Sequence, residues 1–189
     1  MGTSERWLIP HVLDVVVDEA PKTVLDVGAG WGKYAVLVRE FSAIDRVDGL
    51  DIGPPRHGGY DHFYIGDVRD LDHVLPADAP LYDLALFLEV IEHLEKPDGY
   101  RALERLTQVA RRVVVSTPLG FREQDTPHLP FEIHRSGWYP WEFGRRFKVH
   151  KLKLLATRRR RYLRLPSTWQ ILAVVSAKDP PPARPAGGG

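Results

Sequence analysis

The feature that most constrains this chain is a run near its start, TVLDVGAGWGKYAVLVREF, residues 23–41. Thr23 to Val27 is a short apolar stretch of the kind that forms a strand buried on both faces. Gly28, Gly30 and Gly32 follow at alternate positions, where glycine tolerates the positive φ of a tight turn and lets a ligand approach bare backbone. Tyr34, Leu37, Val38 and Phe41 then recur at helical spacing. Strand, tight turn and helix in so short a span form the front half of a βαβ unit, which commits the chain to a parallel sheet with helices on its faces.

The alternation continues. Arg46 to Asp51, Tyr60 to Ile65, Tyr82 to Leu88 and Val113 to Thr117 read as strands two to five. Ahead of them, Ile9, Val12, Leu13 and Val16 mark an amphipathic helix with Pro10 in its first turn. Asp98 is expected to cap a helix carrying Tyr100, Leu103, Leu106 and Ala110, with Arg111 and Arg112 at its negative end. Gly137 to Phe147 suits a short helix, and Val149 to Thr157 and Trp169 to Ala177 suit two final strands paired antiparallel. The expected fold is α/β, a Rossmann-like seven-stranded doubly wound sheet, mostly parallel with an antiparallel last hairpin. Residues 1–178 are expected to form one domain. The tail 179–189, DPPPARPAGGG, carries too little apolar surface to offset its ordering entropy and is expected to be disordered.

Composition removes several functions. The chain has no cysteine, so disulfides, thiolate metal ligands and a cysteine nucleophile are excluded. A formal charge of +1 supplies no global field for a polyanion, so a nucleic-acid partner is not favoured. There is no apolar run long enough for a signal peptide or a membrane span, and a cytoplasmic location without a membrane partner is expected. Oligomeric state is not readable from the residues.

Ligands of doubly wound sheets bind beyond the carboxyl ends of the strands. A dinucleotide fingerprint, G-x-G-x-x-G, would need glycine where Lys33 stands, so a nicotinamide cofactor is disfavoured. The D-x-G-x-G-x-G pattern of Asp26 to Gly32 instead resembles the first motif of class I S-adenosylmethionine-dependent methyltransferases, of the type 11/12-like kind, and the likeness spans nearly all of the chain expected to be ordered. The resemblance implies that Gly28, Ala29, Gly30 and Gly32 wrap the methionine half of S-adenosylmethionine while Asp26 positions its amino group. Asp51 of VDGLD matches the acid that accepts both ribose hydroxyls, with Ile52 beside it. Asp67 and Val68 of YIGDVRDL match the pair set against the adenine, and Glu89 of LFLEV the acid near the sulfonium.

Methyl transfer from a sulfonium needs alignment, desolvation and, for oxygen or nitrogen acceptors, removal of a proton. His93, Glu92 and His134 are the candidate catalytic residues, His93 first because an imidazole is the usual base near neutral pH. The aromatic stretch HLPFEIHRSGWYPWEF, with His128, Phe131, Trp138, Tyr139 and Trp141, is expected to line or cover an acceptor pocket. The leading expectation is transfer to an O or N of a small-molecule metabolite, aromatic or anionic.

Two alternatives stand beside it. Glu89-x-x-Glu92-His93 with a later histidine, His128 or His134, resembles the metal-binding pattern of small-RNA 3′-terminal 2′-O-methyltransferases. Glu89, Glu92, His93 and His134 are therefore the candidates for Mg²⁺ or Mn²⁺, a less favoured expectation than catalysis without metal. The arginine run Arg158 to Arg161 with Arg164 would then be a candidate grip on phosphate. The other alternative is a non-catalytic module that binds S-adenosylmethionine.

Overall fold

The computed structural model describes residues 6–124, 130–156 and 169–179. His128, the arginines from Arg158 to Arg164 and the tail from residue 180 on lie outside the described residues.

Seven strands form one sheet in the order β3-β2-β1-β4-β5-β7-β6. Their ranges are β1 Thr23–Val27, β2 Arg46–Asp51, β3 His62–Ile65, β4 Tyr82–Leu88, β5 Ala110–Pro118, β6 Lys148–Ala156 and β7 Trp169–Ser176. The first five run parallel, and β7 pairs antiparallel with both β5 and β6. This is the expected Rossmann-like sheet with its antiparallel end.

The helices are α1 Ile9–Glu19, α2 Lys33–Phe41, α3 Leu71–Val74, α4 Lys96–Val109 and α5 Pro140–Arg146. Alternate residues of the central strands feed two cores. Leu84 and Leu86 of β4 join Val12, Val16, Tyr34 and Val38 from α1 and α2. Ala85 and Phe87 face the other way, toward Leu103 and Leu106 of α4 and Phe143 of α5. A side chain of this size fully buried contributes about 1.5–3 kcal/mol, so the two-sided apolar strands hold the layers together.

Several boundaries differ from expectation, each for a local reason. Asp98 does not cap α4. Pro97, pre-set for helical φ, occupies the first turn and the helix begins at Lys96, leaving Asp98 to pair with Arg101. Arg111 and Arg112 lie in β5 rather than at a helix end, because the strand starts at Ala110, directly after α4. α5 begins at Pro140, and the Glu142 carboxylate accepts the Tyr139 N–H at 2.8 Å. β3 starts only at His62, and Tyr60 leaves the sheet altogether. Among the described residues no helix is long and apolar enough to cross a membrane.

Candidate functional site

The carboxyl ends of β1, β2 and β4 meet at the glycine turn. Gly28, Gly30 and Gly32 adopt φ of 71°, 57° and 87°. At Gly28 a Cβ would sit 2.2 Å from Val90 Cγ2, so bare backbone is required by space as well as by conformation. The N–H groups of Gly28 and Ala29 both donate to the Leu50 carbonyl, at 2.8 and 3.2 Å, and Gly32 N–H donates to Ala29. Gly32 then serves as the N-cap of α2.

Asp51, ending β2, is buried, and its Oδ2 accepts the Gly30 N–H at 2.7 Å. Asp51, the acid expected at the ribose, is thus physically joined to the turn. Ile52 beside it is exposed. Gly66 N–H donates to the Asp51 carbonyl at 2.9 Å, which sets the next residue, Asp67, alongside. Asp67 accepts the Arg69 backbone N–H at 2.9 Å and pairs with its guanidinium, which holds its carboxyl below the usual range. Val68, in the short 3₁₀ turn Val68–Asp70, is buried.

Asp26 is 3% exposed, and the Tyr60 hydroxyl donates to its Oδ2 at 2.6 Å. Burial pushes its carboxyl up to about 6 against the pull of that hydrogen bond, and the Asp51 charge adds to the rise. Positive-φ glycines, a buried acid at the end of β1 and a second acid tied to the turn suit S-adenosylmethionine, whose methionine half carries no phosphate to be cradled.

The second half of the site lies beyond β4 and β5. Glu89 has a left-handed φ of 56°, unusual for a residue with a Cβ and common where function holds a side chain in place. Its Oε1 accepts the Ser116 hydroxyl at 2.7 Å and the Gln170 side-chain amide. The short turn Ile91–His93 follows.

The long connection after β5 folds back on that turn. Arg135 and Ser136 donate their N–H groups to the Glu92 carbonyl at 2.7 and 3.1 Å. Trp138, fully buried, anchors the segment: its Nε1 donates to Ser136 Oγ, and its ring packs against Tyr100 and Phe143. A Cβ on Gly99 would come 2.6 Å from the Trp138 ring, so α4 opens to receive it. Trp138 is therefore core rather than pocket lining, while Phe131, Tyr139 and Trp141 remain exposed.

This return brings His134 to His93, ring centroids 5.0 Å apart. Glu92, His93 and His134, the three candidate catalytic residues, offer ligand atoms that all lie within 4.8 Å of one another. Glu89 stands outside that triplet but close enough for its charge to act on Glu92, whose carboxyl burial and Glu89 raise well above the usual range. Thr117 lies close enough for its hydroxyl to ease the Glu92 charge, but neither the Thr117 oxygen nor Glu92 Oε2 has a hydrogen-bond partner, and both are buried.

Burial lowers both imidazoles, so they are neutral at physiological pH. His134 Nδ1 lies 2.7 Å from the Arg122 carbonyl. A carbonyl only accepts, so Nδ1 carries the proton and Nε2 presents its lone pair. A buried carboxylate oxygen lacking a partner, set among neutral imidazoles, fits a divalent cation, and the mixed nitrogen and oxygen set suits Mn²⁺ better than Mg²⁺.

Three supporting residues escaped the sequence: Tyr60 under Asp26, and Ser116 and Gln170 under Glu89. None carries a local motif. Each is recognisable only once the sheet brings distant segments together.

A family model described as a methyltransferase domain matches residues 6–159. The small RNA 2′-O-methyltransferase of Rattus norvegicus is 30% identical over 156 residues, 71% of this chain and 38% of that protein, so this chain spans well under half of the curated relative's length. Among solved structures, the N-methyltransferase NodS of Bradyrhizobium japonicum WM9, bound to S-adenosylhomocysteine, superposes with a TM-score of 0.65 at 14% identity, over 93% of this chain and 88% of that one. The methyltransferase domain of bacterial CtHen1-C gives 0.60 at 19% identity, over 89% and 96%. At such identities these structures establish the shared fold.

Proposed function

The chain belongs to the class I S-adenosylmethionine-dependent methyltransferases, and from that premise we propose that it methylates a hydroxyl oxygen, the terminal ribose 2′-hydroxyl of a small RNA, beside a divalent cation held by Glu92, His93 and His134. The observation that carries the reading is the buried, unpartnered Glu92 oxygen among two histidines delivered from separate segments. A metabolite acceptor led the expectations from sequence. The assembled triplet and the 30% identity to a small RNA 2′-O-methyltransferase now put RNA ahead.

In this reading the cofactor lies across the glycine turn. Asp26 takes its ammonium group, Asp51 its ribose diol and Asp67 its adenine amino group, with Ala29, Ile52 and Val68 lining the cleft. Bound S-adenosylmethionine supplies a methyl group on a positively charged sulfur, open to in-line attack. Glu89, clamped by Ser116 and Gln170, adds negative charge on the sulfonium side of the cleft.

At the acceptor end, a bound divalent cation supplies acidification of a hydroxyl within its reach. Glu92 contributes a carboxylate whose charge burial makes costly, which favours any cation that pairs with it. His134, its tautomer fixed by the Arg122 carbonyl, presents Nε2 either as a ligand or as the acceptor of the hydroxyl proton. Trp138 and Ser136 keep His134 in register with the turn of Glu92.

The test is transfer of a labelled methyl group from S-adenosylmethionine to a small single-stranded RNA, compared with the same RNA ending in a 2′-deoxynucleotide. Label on the ribose-ended strand only, with Mn²⁺ present and abolished by EDTA, is the expected result. Equal labelling of both strands, or activity that survives EDTA, overturns the reading. The metabolite acceptor remains the second reading, favoured by a net charge of only +1, since RNA binding draws on neutralised phosphates. Labelling of small hydroxylated aromatics but not of RNA would establish it.

A further inference from the structure

Tyr60 precedes β3, and the apolar pattern places it in that strand. Instead its ring crosses to the glycine turn. Built Cβ atoms on Gly49 and Gly32 would come 2.9 and 3.2 Å from the ring, so two bare positions on β2 and the turn make the slot it occupies. Phe63 backs it, centroids 5.2 Å apart. From that slot the hydroxyl reaches Asp26 Oδ2 at 2.6 Å.

We propose that Tyr60 is a positioning residue of the cofactor site, its hydroxyl keeping Asp26 an ionised, fixed acceptor for the ammonium group on the methionine half of S-adenosylmethionine. This role rests on the reading of the glycine turn as the cofactor cradle. Neither the motif resemblance nor the family match singles Tyr60 out, because it lies between the second and third motifs.

The physical case starts from the environment of Asp26. At 3% exposure the carboxylate has almost no water to stabilise its charge. The charged and titratable groups that act on it are Asp51 from β2, which disfavours ionisation, Lys33 from α2, which favours it, and the Tyr60 phenol. Tyr60 supplies the hydrogen bond. Burial and the adjacent acids push the phenol itself upward, so it stays protonated and remains a donor across the physiological range. Without that donor the buried acid would hold its proton to higher pH, and a neutral acid forms no ion pair with an ammonium group. The same hydrogen bond also fixes the direction of the carboxylate, leaving its other oxygen, Oδ1, aimed by geometry rather than by solvent.

The sign of the pH effect follows. Binding of a cation needs ionised Asp26, so affinity is full above its folded value of about 6 and is lost as pH falls through it. Removing the donor moves that loss to higher pH. An upward move of one pH unit makes affinity about fivefold weaker at pH 6 and leaves it equal at pH 8.5.

Tyr60→Phe deletes one oxygen and keeps the ring in its slot. Calorimetric affinity for S-adenosylhomocysteine is measured for wild type and variant from pH 5.5 to 8.5, and the ratio is taken at each pH so that the ligand's own titration cancels. A ratio near fivefold at pH 6 that closes by pH 8.5 is expected. A ratio that is constant with pH, or no change at all, overturns the proposal, since a packing role would weaken binding uniformly. Asp26→Asn should bind weakly throughout and should make the Tyr60→Phe change silent. Should Tyr60→Phe fail to fold, 3-fluorotyrosine at position 60 is a better donor of the same shape, expected to carry binding to lower pH; an unmoved profile overturns the proposal. Wild type that binds while the variant profile is unshifted removes only the role of Tyr60. Wild type that takes up no S-adenosylhomocysteine at any pH removes the cradle reading and this proposal with it.

Discussion

The ends of β1 and β2 and the ends of β4 and β5 both bury carboxylates at one edge of the sheet, but they treat them differently. At the first pair every acid is engaged by its own chain: Asp51 by Gly30, Asp26 by Tyr60. At the second, Glu92 keeps a buried oxygen without a hydrogen-bond partner, next to neutral histidines. A satisfied network is rigid before any ligand arrives, whereas an unsatisfied buried acid costs folding energy that an occupant recovers. In the proposed reading the first region is a preformed cradle and the second a site whose chemistry awaits a partner.

The comparison breaks most visibly at Glu92. Glu92→Ala should cut methyl transfer by at least on the order of 100-fold while S-adenosylhomocysteine affinity changes little, because the proposed reading places the acid at the acceptor end alone. A matching fall in affinity, measured by calorimetry, would merge the two regions into one. Asp51→Ala probes the other side: losing a charged acceptor shared by the turn and the ribose should weaken S-adenosylhomocysteine binding by about 10- to 100-fold. Unchanged affinity would remove the ribose assignment.

Gly28→Ala strikes the seam between them. The new methyl group meets Val90, one residue before the Ile91–His93 turn, in a backbone conformation that disfavours alanine. A cost of about 1–3 kcal/mol is expected in denaturant unfolding. Val90→Ala should restore only the steric part, and complete rescue would show that φ carries no strain. Gln170→Ala has the smallest expected effect, roughly a threefold to tenfold loss of rate from loosening Glu89, with stability nearly unchanged. A wild-type rate would show that Gln170 does not help to hold Glu89.

The same division decides what could be read from residues alone. β1, β2 and β4 run as predicted, residue for residue: β1 and β4 are short, mostly apolar runs, and β2, RVDGLD, follows from its place in the strand–helix alternation. The acids at their ends follow from that register. Asp98 misled because a proline one position earlier is the stronger helix start, a competition between two local signals. Tyr60 and Gln170 were invisible for another reason. Tyr60 meets Asp26 across 34 positions and Gln170 meets Glu89 across 81, and nothing local in either segment encodes the partner. His134 could be named as a candidate, but choosing it as the partner of His93 needed Trp138 to fold the connection back.

Titration of Mn²⁺ into the full chain, with the free ion followed by electron paramagnetic resonance, bears most directly on the acceptor end. One tightly held ion per chain in the wild type, lost in both Glu92→Gln and His134→Ala while S-adenosylhomocysteine still binds, is the predicted result. Uptake that is absent in the wild type, or that persists undiminished in both variants, would contradict it.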